Sequence, residues 1–256
     1  MADRFLLEGR VAVVTGAGRG LGRFMAGVLA GAGASIVLLG RDGARLDEAA
    51  AEIGQETGVP TLAIAADVND PAALAAAAEA AKARFGHVDI LLNNSGVVTS
   101  DTLVETSEAD WDRVVGTNLT GVWRTVKAFA PLMTAATGAR IVNIGSVMSG
   151  RAAANRGPYA AAKAGLLNLA RTLAIELGPQ GITVNTICPS VIITDLNREQ
   201  IEVSAAEAYR ALLARVPARR WGEMEDLAGA LLLFASDASG YISGQALYVD
   251  GGLTAC

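Results

Sequence analysis

Tyr159 and Lys163 stand four residues apart in Tyr159-Ala-Ala-Ala-Lys163. On a helix that spacing stacks both side chains on one face. An ammonium held beside a phenol favours the phenolate and lowers its pKa from the ordinary value near ~10. A phenol tuned in this way exchanges a proton with an alcohol or a ketone near neutral pH. Ser146 follows the apolar run that ends in Ile144-Gly145, and it can place a hydroxyl at the same spot. Taken alone, the stretch also reads as an alanine-rich helix carrying one tyrosine and one lysine.

The elements that must hold these residues are visible in the surrounding pattern. Pro158 fits the first turn of a helix, where a missing N–H costs little. Ala160, Ala161, Ala162, Ala164, Leu166 and Leu167 then favour the helix, which runs to about Leu177. Near the start of the chain, Arg10–Thr15 is rich in β-branched residues and ends in glycine, as a buried parallel strand would. Gly16, Gly20 and Gly22 follow with the spacing Gly-x3-Gly-x-Gly, and a helical pattern runs from Arg23 to Ala32. Strand, glycine turn and helix together build a phosphate site: the backbone can approach a pyrophosphate, and the helix start presents free N–H groups.

Ser35–Gly40 is the next strand, closed by Arg41 and Asp42. In dinucleotide folds a carboxylate at this strand end binds a ribose 2′-OH, whereas an arginine accommodates a 2′-phosphate. Position 40 is glycine, Arg41 follows it, and Arg19 in the glycine loop adds a second positive charge. NADP(H) is therefore favoured over NAD(H). The competing reading turns Asp42 to the ribose or leaves both arginines in solvent. Asp42 also suits the N-cap of a helix from about Gly43 to Ile53.

Further strands are expected at Thr61–Ala66, Val88–Leu92, Arg140–Gly145, Gly181–Cys188 (stopped by Pro189) and Gln245–Gly252. Helices are expected at Pro71–Phe85, from Ser107 through Met133, and at Met224–Ser236. Asp67 is placed to bond an adenine amino group or to serve as a turn residue. Asn93-Asn94-Ser95-Gly96 lies at a strand end, where open α/β sheets bind ligands. Asn118 is a polar residue amid Val114, Val115, Leu119 and Val122, and a helix interruption there would free a carbonyl for water. Residues 190–220 are more polar, with a helix-like piece around Ala205 to Val216, and read as a substrate lid or a plain surface excursion. Phe24, Met148, Val191, Ile192, Leu196, Tyr209 and Trp221 suggest an apolar pocket or ordinary core.

Composition narrows the alternatives. The 256 residues are 52% hydrophobic, enough for a large core, and show no repeat or linker, so a single domain over 1–256 is expected. A net charge of −5 offers no electrostatic footprint for nucleic acid. No apolar run reaches membrane-spanning length, and a cytoplasmic location is expected. Cys188 and Cys256 make no disulfide framework. One histidine, His87, leaves no basis for a metal site or a Ser-His-Asp triad.

In order and spacing, these marks resemble the short-chain dehydrogenase/reductase family over essentially the whole chain. They are Thr15-Gly16-x3-Gly20-x-Gly22, Asn93-Asn94-x-Gly96, Asn118, Ser146, Tyr159-x3-Lys163, Pro189 with Thr194, and Val249-Asp250-Gly251-Gly252. The resemblance implies a Rossmann-like, doubly wound parallel α/β sheet of about seven strands with helices on both faces. It implies a catalytic tetrad of Asn118, Ser146, Tyr159 and Lys163. In it Tyr159 is the acid or base, Ser146 holds the substrate oxygen, Lys163 lowers the tyrosine pKa and binds the nicotinamide ribose, and Asn118 holds a water. Gly16, Arg19, Gly20, Leu21, Asp67, Val68, Asn93 and Thr194 would line the cofactor site, with Tyr159 and Lys163 reaching it. The activity implied is ketone–secondary alcohol interconversion on a small molecule, by a homo-oligomer, commonly a tetramer. The alternatives are an NAD(H)-dependent sugar or polyol dehydrogenase and, outside enzymes, a nucleotide-binding scaffold or regulator. Ser95 and Ser190 depart from the family's usual alanine and glycine.

Overall fold

Seven parallel strands form one sheet in the computed structural model, which describes residues 2–133, 138–194, 197–199, 201, 203 and 206–255. They are β1 (Val11–Thr15), β2 (Ser35–Gly40), β3 (Thr61–Ala65), β4 (Ile90–Asn93), β5 (Arg140–Ile144), β6 (Thr183–Pro189) and β7 (Ala246–Val249). Their order across the sheet is β3-β2-β1-β4-β5-β6-β7. The chain winds outward from β1 to one edge, returns to β4, and winds to the other edge. The crevice outside the carboxyl ends of β1 and β4 is thus the switch point at which such sheets take ligands.

Period-two alternation divides the strand residues between two cores. Ala12, Val14, Ile36, Leu38, Ile90 and Leu92 face α1 (Gly20–Gly31), α2 (Gly43–Thr57) and, further along, α8 (Ala228–Ala235). Val11, Val13, Val37, Leu39, Leu91 and Ile141 face α3 (Pro71–Phe85), α5 (Gly121–Phe129) and α6 (Gly157–Leu177). Two shorter helices, α4 (Glu108–Val115) and α7 (Ala206–Leu213), lie outside this frame. The helix starts follow capping chemistry: Asp42, Asp70 and Ser107 each accept a bond from the first turn that they precede.

Three elements differ from the sequence expectation. The long helix through Met133 is divided by a π-helical turn at Gly116–Thr120, which contains Asn118. The last helix opens as a 3-10 turn, Met224–Leu227, before α8. β6 runs on through Pro189, which pairs with Val249 at the sheet's far end, so proline ends the strand from inside it. In the 190–220 region, Ile192 bridges to Gly222 and Tyr209 meets Trp221 edge-on at 5.9 Å. Leu196, Ala205 and Cys256 lie outside the described residues.

The amino ends of the strands are tied by charge. Asp89, 1% exposed, accepts the Val11 N–H at 2.8 Å and lies 3.0 Å from His87 Nε2. Buried Arg140 bonds the Ser236 carbonyl and shares Asp237 with Arg10. Asp89→Ala strands the Val11 N–H without its acceptor, and urea unfolding should show a loss of roughly 1–3 kcal/mol.

Candidate active site

Four consecutive strand ends make one groove, with a cavity volume of about 580 Å³. Its walls are Gly16, Gly18, Arg19, Leu21 and Gly22 after β1, Gly40, Arg41, Asp42, Arg45 and Leu46 at and after the end of β2, Ala66 to Asn69 after β3, and Asn94 to Val97 after β4. The glycine turn has little room for side chains. Gly16 holds φ +67, and a Cβ there would stand 2.9 Å from Asn94 Nδ2. A Cβ on Gly22 would collide with the Gly16 carbonyl. Arg19, at the N-cap of α1, makes no side-chain bond to the first turn, the kind of helix start whose N–H groups can take a phosphate. Asn94 and Ser95 clamp the turn from across the sheet, both donating backbone N–H bonds to Thr15 Oγ1.

The second end of the groove is basic. Arg19, Arg41 and Arg45 all line it. Asp42, the one carboxylate at the β2 end, is already engaged: it caps α2 through the Arg45 N–H at 3.3 Å and pairs with Arg45 Nε at 3.1 Å. Asp67 lines the wall beside Val68 and closes a turn by accepting the Asn69 N–H at 2.8 Å. A cradle without Cβ atoms, an uncapped helix start and arginines in place of a ribose carboxylate fit a phosphorylated dinucleotide.

Asn93, expected to line the cofactor site, lies in the sheet instead. Asn93 is the last residue of β4, 3% exposed, and donates to Asn143 Oδ1 across the sheet at 2.9 Å. Asn94, one residue beyond the strand, lines the groove. Gly20, at φ +53, shapes the turn without lining the cavity. Thr194 lies apart from the groove, its N–H bonded to Asn197 Oδ1. Arg45 could have been found from the sequence, since it is four residues after Arg41 and one helical turn into α2.

Beyond the groove, α6 brings the proposed acid–base group to the end of β5. Lys163, 4% exposed, donates to the Ile144 carbonyl at 2.6 Å, and its Nζ stands 5.7 Å from the centre of the Tyr159 ring. Ser146 is set by its own turn: its N–H bonds Ser149 Oγ, and its Oγ accepts the Met148 N–H. The Ser146 hydroxyl lies close enough to the Tyr159 phenol to act on its pKa. Asn118 is fully buried in the π turn, with Nδ2 donating to the Val97 and Val114 carbonyls at 2.7 and 2.8 Å. Its Oδ1, without a protein partner, leaves no space for a side chain at Gly96.

The electrostatics depart from the sequence expectation. Burial is the largest influence on Tyr159 and raises its pKa; the nearby Ser146 hydroxyl and the Arg156 charge oppose it. Lys163 does not act as the lowering charge. Burial takes its own pKa from 10.5 to about 8, and its hydrogen bond goes to a backbone carbonyl rather than to the phenol. Among the apolar candidates, Val191, Ile192 and Trp221 line a separate cavity of about 180 Å³, Phe24 packs on the main core, and Met148 packs on Val147, Val216 and Leu253.

Residues 16–254 match the family pattern described as enoyl-(acyl carrier protein) reductase. The 3-oxoacyl-[acyl-carrier-protein] reductase of Escherichia coli is 38% identical over 247 residues, 96% of this chain and 98% of that one. The chain belongs to the short-chain dehydrogenase/reductase family. It is an oxidoreductase acting on carbonyl or CH–OH groups. Gluconate 5-dehydrogenase of Gluconobacter oxydans is 37% identical over 252 residues, 98% of this chain and 97% of that one. Among solved structures, the gluconate 5-dehydrogenase of Burkholderia cenocepacia, in complex with NADP and tartrate, superposes with a TM-score of 0.92. It is 38% identical, covering 99% of this chain and 98% of that one. The short-chain fold is common to both. Among the described residues no helix is long and apolar enough to cross a membrane, and no cluster is arranged to hold a metal ion.

The buried lysine predicts a pH signature for the protein without ligand. Between about 8 and 10.5 the native Lys163 is neutral while the unfolded chain still binds its proton. The unfolded state then carries more protons, so this group adds stability as pH rises through that window. In urea titrations across that range, wild type should gain on Lys163→Met by about a kcal/mol or more. A constant difference would remove the buried cation.

Proposed function

We propose that the protein is an NADP(H)-dependent oxidoreductase that interconverts a ketone and a secondary alcohol, with Tyr159 giving or taking the proton. The observation that carries this reading is the meeting of Tyr159, Ser146 and Lys163 at the end of β5, next to a groove floored by glycine and edged by Arg19, Arg41 and Arg45. The dinucleotide, when bound, supplies or accepts the hydride. The chain's own residues do the rest. The glycine turn and the start of α1 hold the pyrophosphate, and the three arginines hold the 2′-phosphate. Ser146 Oγ holds the substrate oxygen. Tyr159 Oη donates a proton to that oxygen in reduction and removes it in oxidation.

The raised pKa of the phenol keeps it protonated at neutral pH, so the free protein offers an acid. That state suits carbonyl reduction. Lys163, below its pKa of about 8, carries a positive charge held at the Ile144 carbonyl, 5.7 Å from the centre of the ring. Asn118, fixed in the π turn by two carbonyls, leaves an acceptor free for a water in the proton path. Asn93 supports the floor through β4, and Thr194, which follows β6 in the chain, is the remaining cofactor candidate. The relatives' names, a 3-oxoacyl reductase and a gluconate 5-dehydrogenase, support a carbonyl–carbinol substrate pair. NAD(H)-dependent polyol oxidation is disfavoured because Asp42 is occupied by Arg45 and the helix. Trp111 and Trp123, each about two-fifths exposed, support a homo-oligomer, for which light scattering should give a tetramer mass.

Two experiments test the proposal. NADPH should bind at least about tenfold more tightly than NADH, as expected for charge-assisted bonds to the extra phosphate, and Arg41→Asp should narrow or reverse that ratio. Equal affinities in wild type would refute the arginine assignment. Tyr159→Phe should retain NADPH affinity by fluorescence titration and lose about a hundredfold or more of turnover on a ketone panel; unchanged turnover would take the tyrosine out of the proton step.

A further inference from the structure

Arg156 occupies the N-cap position of α6, three residues before Tyr159. Asn155 before it holds the left-handed φ of 61, which asparagine tolerates better than most residues, and turns the chain into the helix. The guanidinium is anchored through one nitrogen only. Nη1 bonds the Thr99 carbonyl at 3.1 Å, Ser100 Oγ at 2.9 Å and the Asn155 carbonyl at 2.9 Å. Those first two partners belong to the loop after β4, beyond Gly96, at the same end of the sheet as the groove and the phenol. Nε and Nη2 have no protein acceptor among the described residues, and no carboxylate pairs with this arginine. The side chain is partly exposed. Its charge nevertheless reaches Tyr159, where it favours the phenolate.

A fixed guanidinium with one open edge has a specific chemical complement. Nε and one Nη present parallel N–H bonds to two oxygens of a single planar anion. A carboxylate has that shape and a single charge. A phosphate ester carries more charge than this one arginine balances.

We infer that Arg156 is a substrate-recognition residue and that the ketone reduced here carries a carboxylate, as an oxo acid whose product is a hydroxy acid. The inference rests on the oxidoreductase reading above. Arg156 would bind the carboxylate through Nε and Nη2 while Ser146 and Tyr159 hold the carbonyl oxygen, so one substrate spans both groups. The reaction is unchanged: carbon gains hydride, oxygen gains the tyrosine proton, and the carboxylate stays intact.

The test compares 2-oxopentanoate, 4-oxopentanoate and 5-oxohexanoate, each with its methyl ester, at saturating NADPH, in wild type, Arg156→Gln and Arg156→Lys. For at least one chain length wild type should favour the acid by about tenfold or more in kcat/KM, the worth of a charge-assisted bond. Arg156→Gln should lose that factor on the acid, mostly in KM, so that the acid-to-ester ratio in kcat/KM falls to about one, while NADPH affinity stays within about twofold. Arg156→Lys should recover part of the acid rate, since it restores charge without the planar fork. The inference is overturned if acid and ester rates fall together in Arg156→Gln, which is the behaviour of a loop anchor. It is equally overturned if the acid preference survives that substitution, or if wild type turns over the esters with no preference for any acid; these outcomes leave the oxidoreductase reading intact. Failure of wild type on all six compounds and on simple ketones removes that reading, and this inference with it.

Discussion

The bond from Lys163 Nζ to the Ile144 carbonyl, 2.6 Å long and out of water, sets the geometry of the site. It ties the second turn of α6 to the last residue of β5. Once that tie is made, Tyr159, one helical turn earlier, must stand over the strand end, and Ser146, two residues beyond Ile144, must meet it. A buried ammonium is costly unless it is bonded. The strand carbonyl lowers that cost, yet the pKa near 8 shows that the cost is not fully removed. The site therefore holds a cation that is weakly kept, adjoining a phenol that holds its proton tightly.

The groove illustrates a division of labour by strand. Each of β1 to β4 delivers one short loop, and each loop contributes one kind of chemistry. Backbone N–H groups follow β1, positive charge follows β2, a turn carboxylate follows β3 and a clamp follows β4. In a chain of net charge −5 the arginines at this rim are a local exception. Their field is confined because Asp42 partly neutralises Arg45, leaving Arg19 and Arg41 as the outward charges.

Most of the framework is legible in the sequence because it is written in local patterns. The strand Ser35–Gly40 and the helix Pro71–Phe85 follow from β-branched runs, an aspartate cap and a glycine stop, and they stand where the sequence places them. Period-two and period-3.6 patterns carry that information without any tertiary input. What the sequence leaves hidden has a common origin in burial and direction. Asn93 and Asn94 are identical in type, and only the strand's last pleat decides which one faces the groove. A lysine four residues away suggests a lowered tyrosine pKa, but desolvation depends on everything packed around the ring. The π turn at Asn118 gives only the hint of a polar residue in an apolar stretch.

One rim of the sheet is fastened by Asp89, His87, Arg140, Arg10 and Asp237, and none of these touches the groove. Fastening there and recognition here are mechanically separate. Loops at the carboxyl rim can lengthen, swap charge or lose residues during divergence without loosening the strands that carry them. A scaffold so arranged tolerates repeated retargeting, and relatives sharing under two-fifths of their residues can keep one backbone while differing in what they transform.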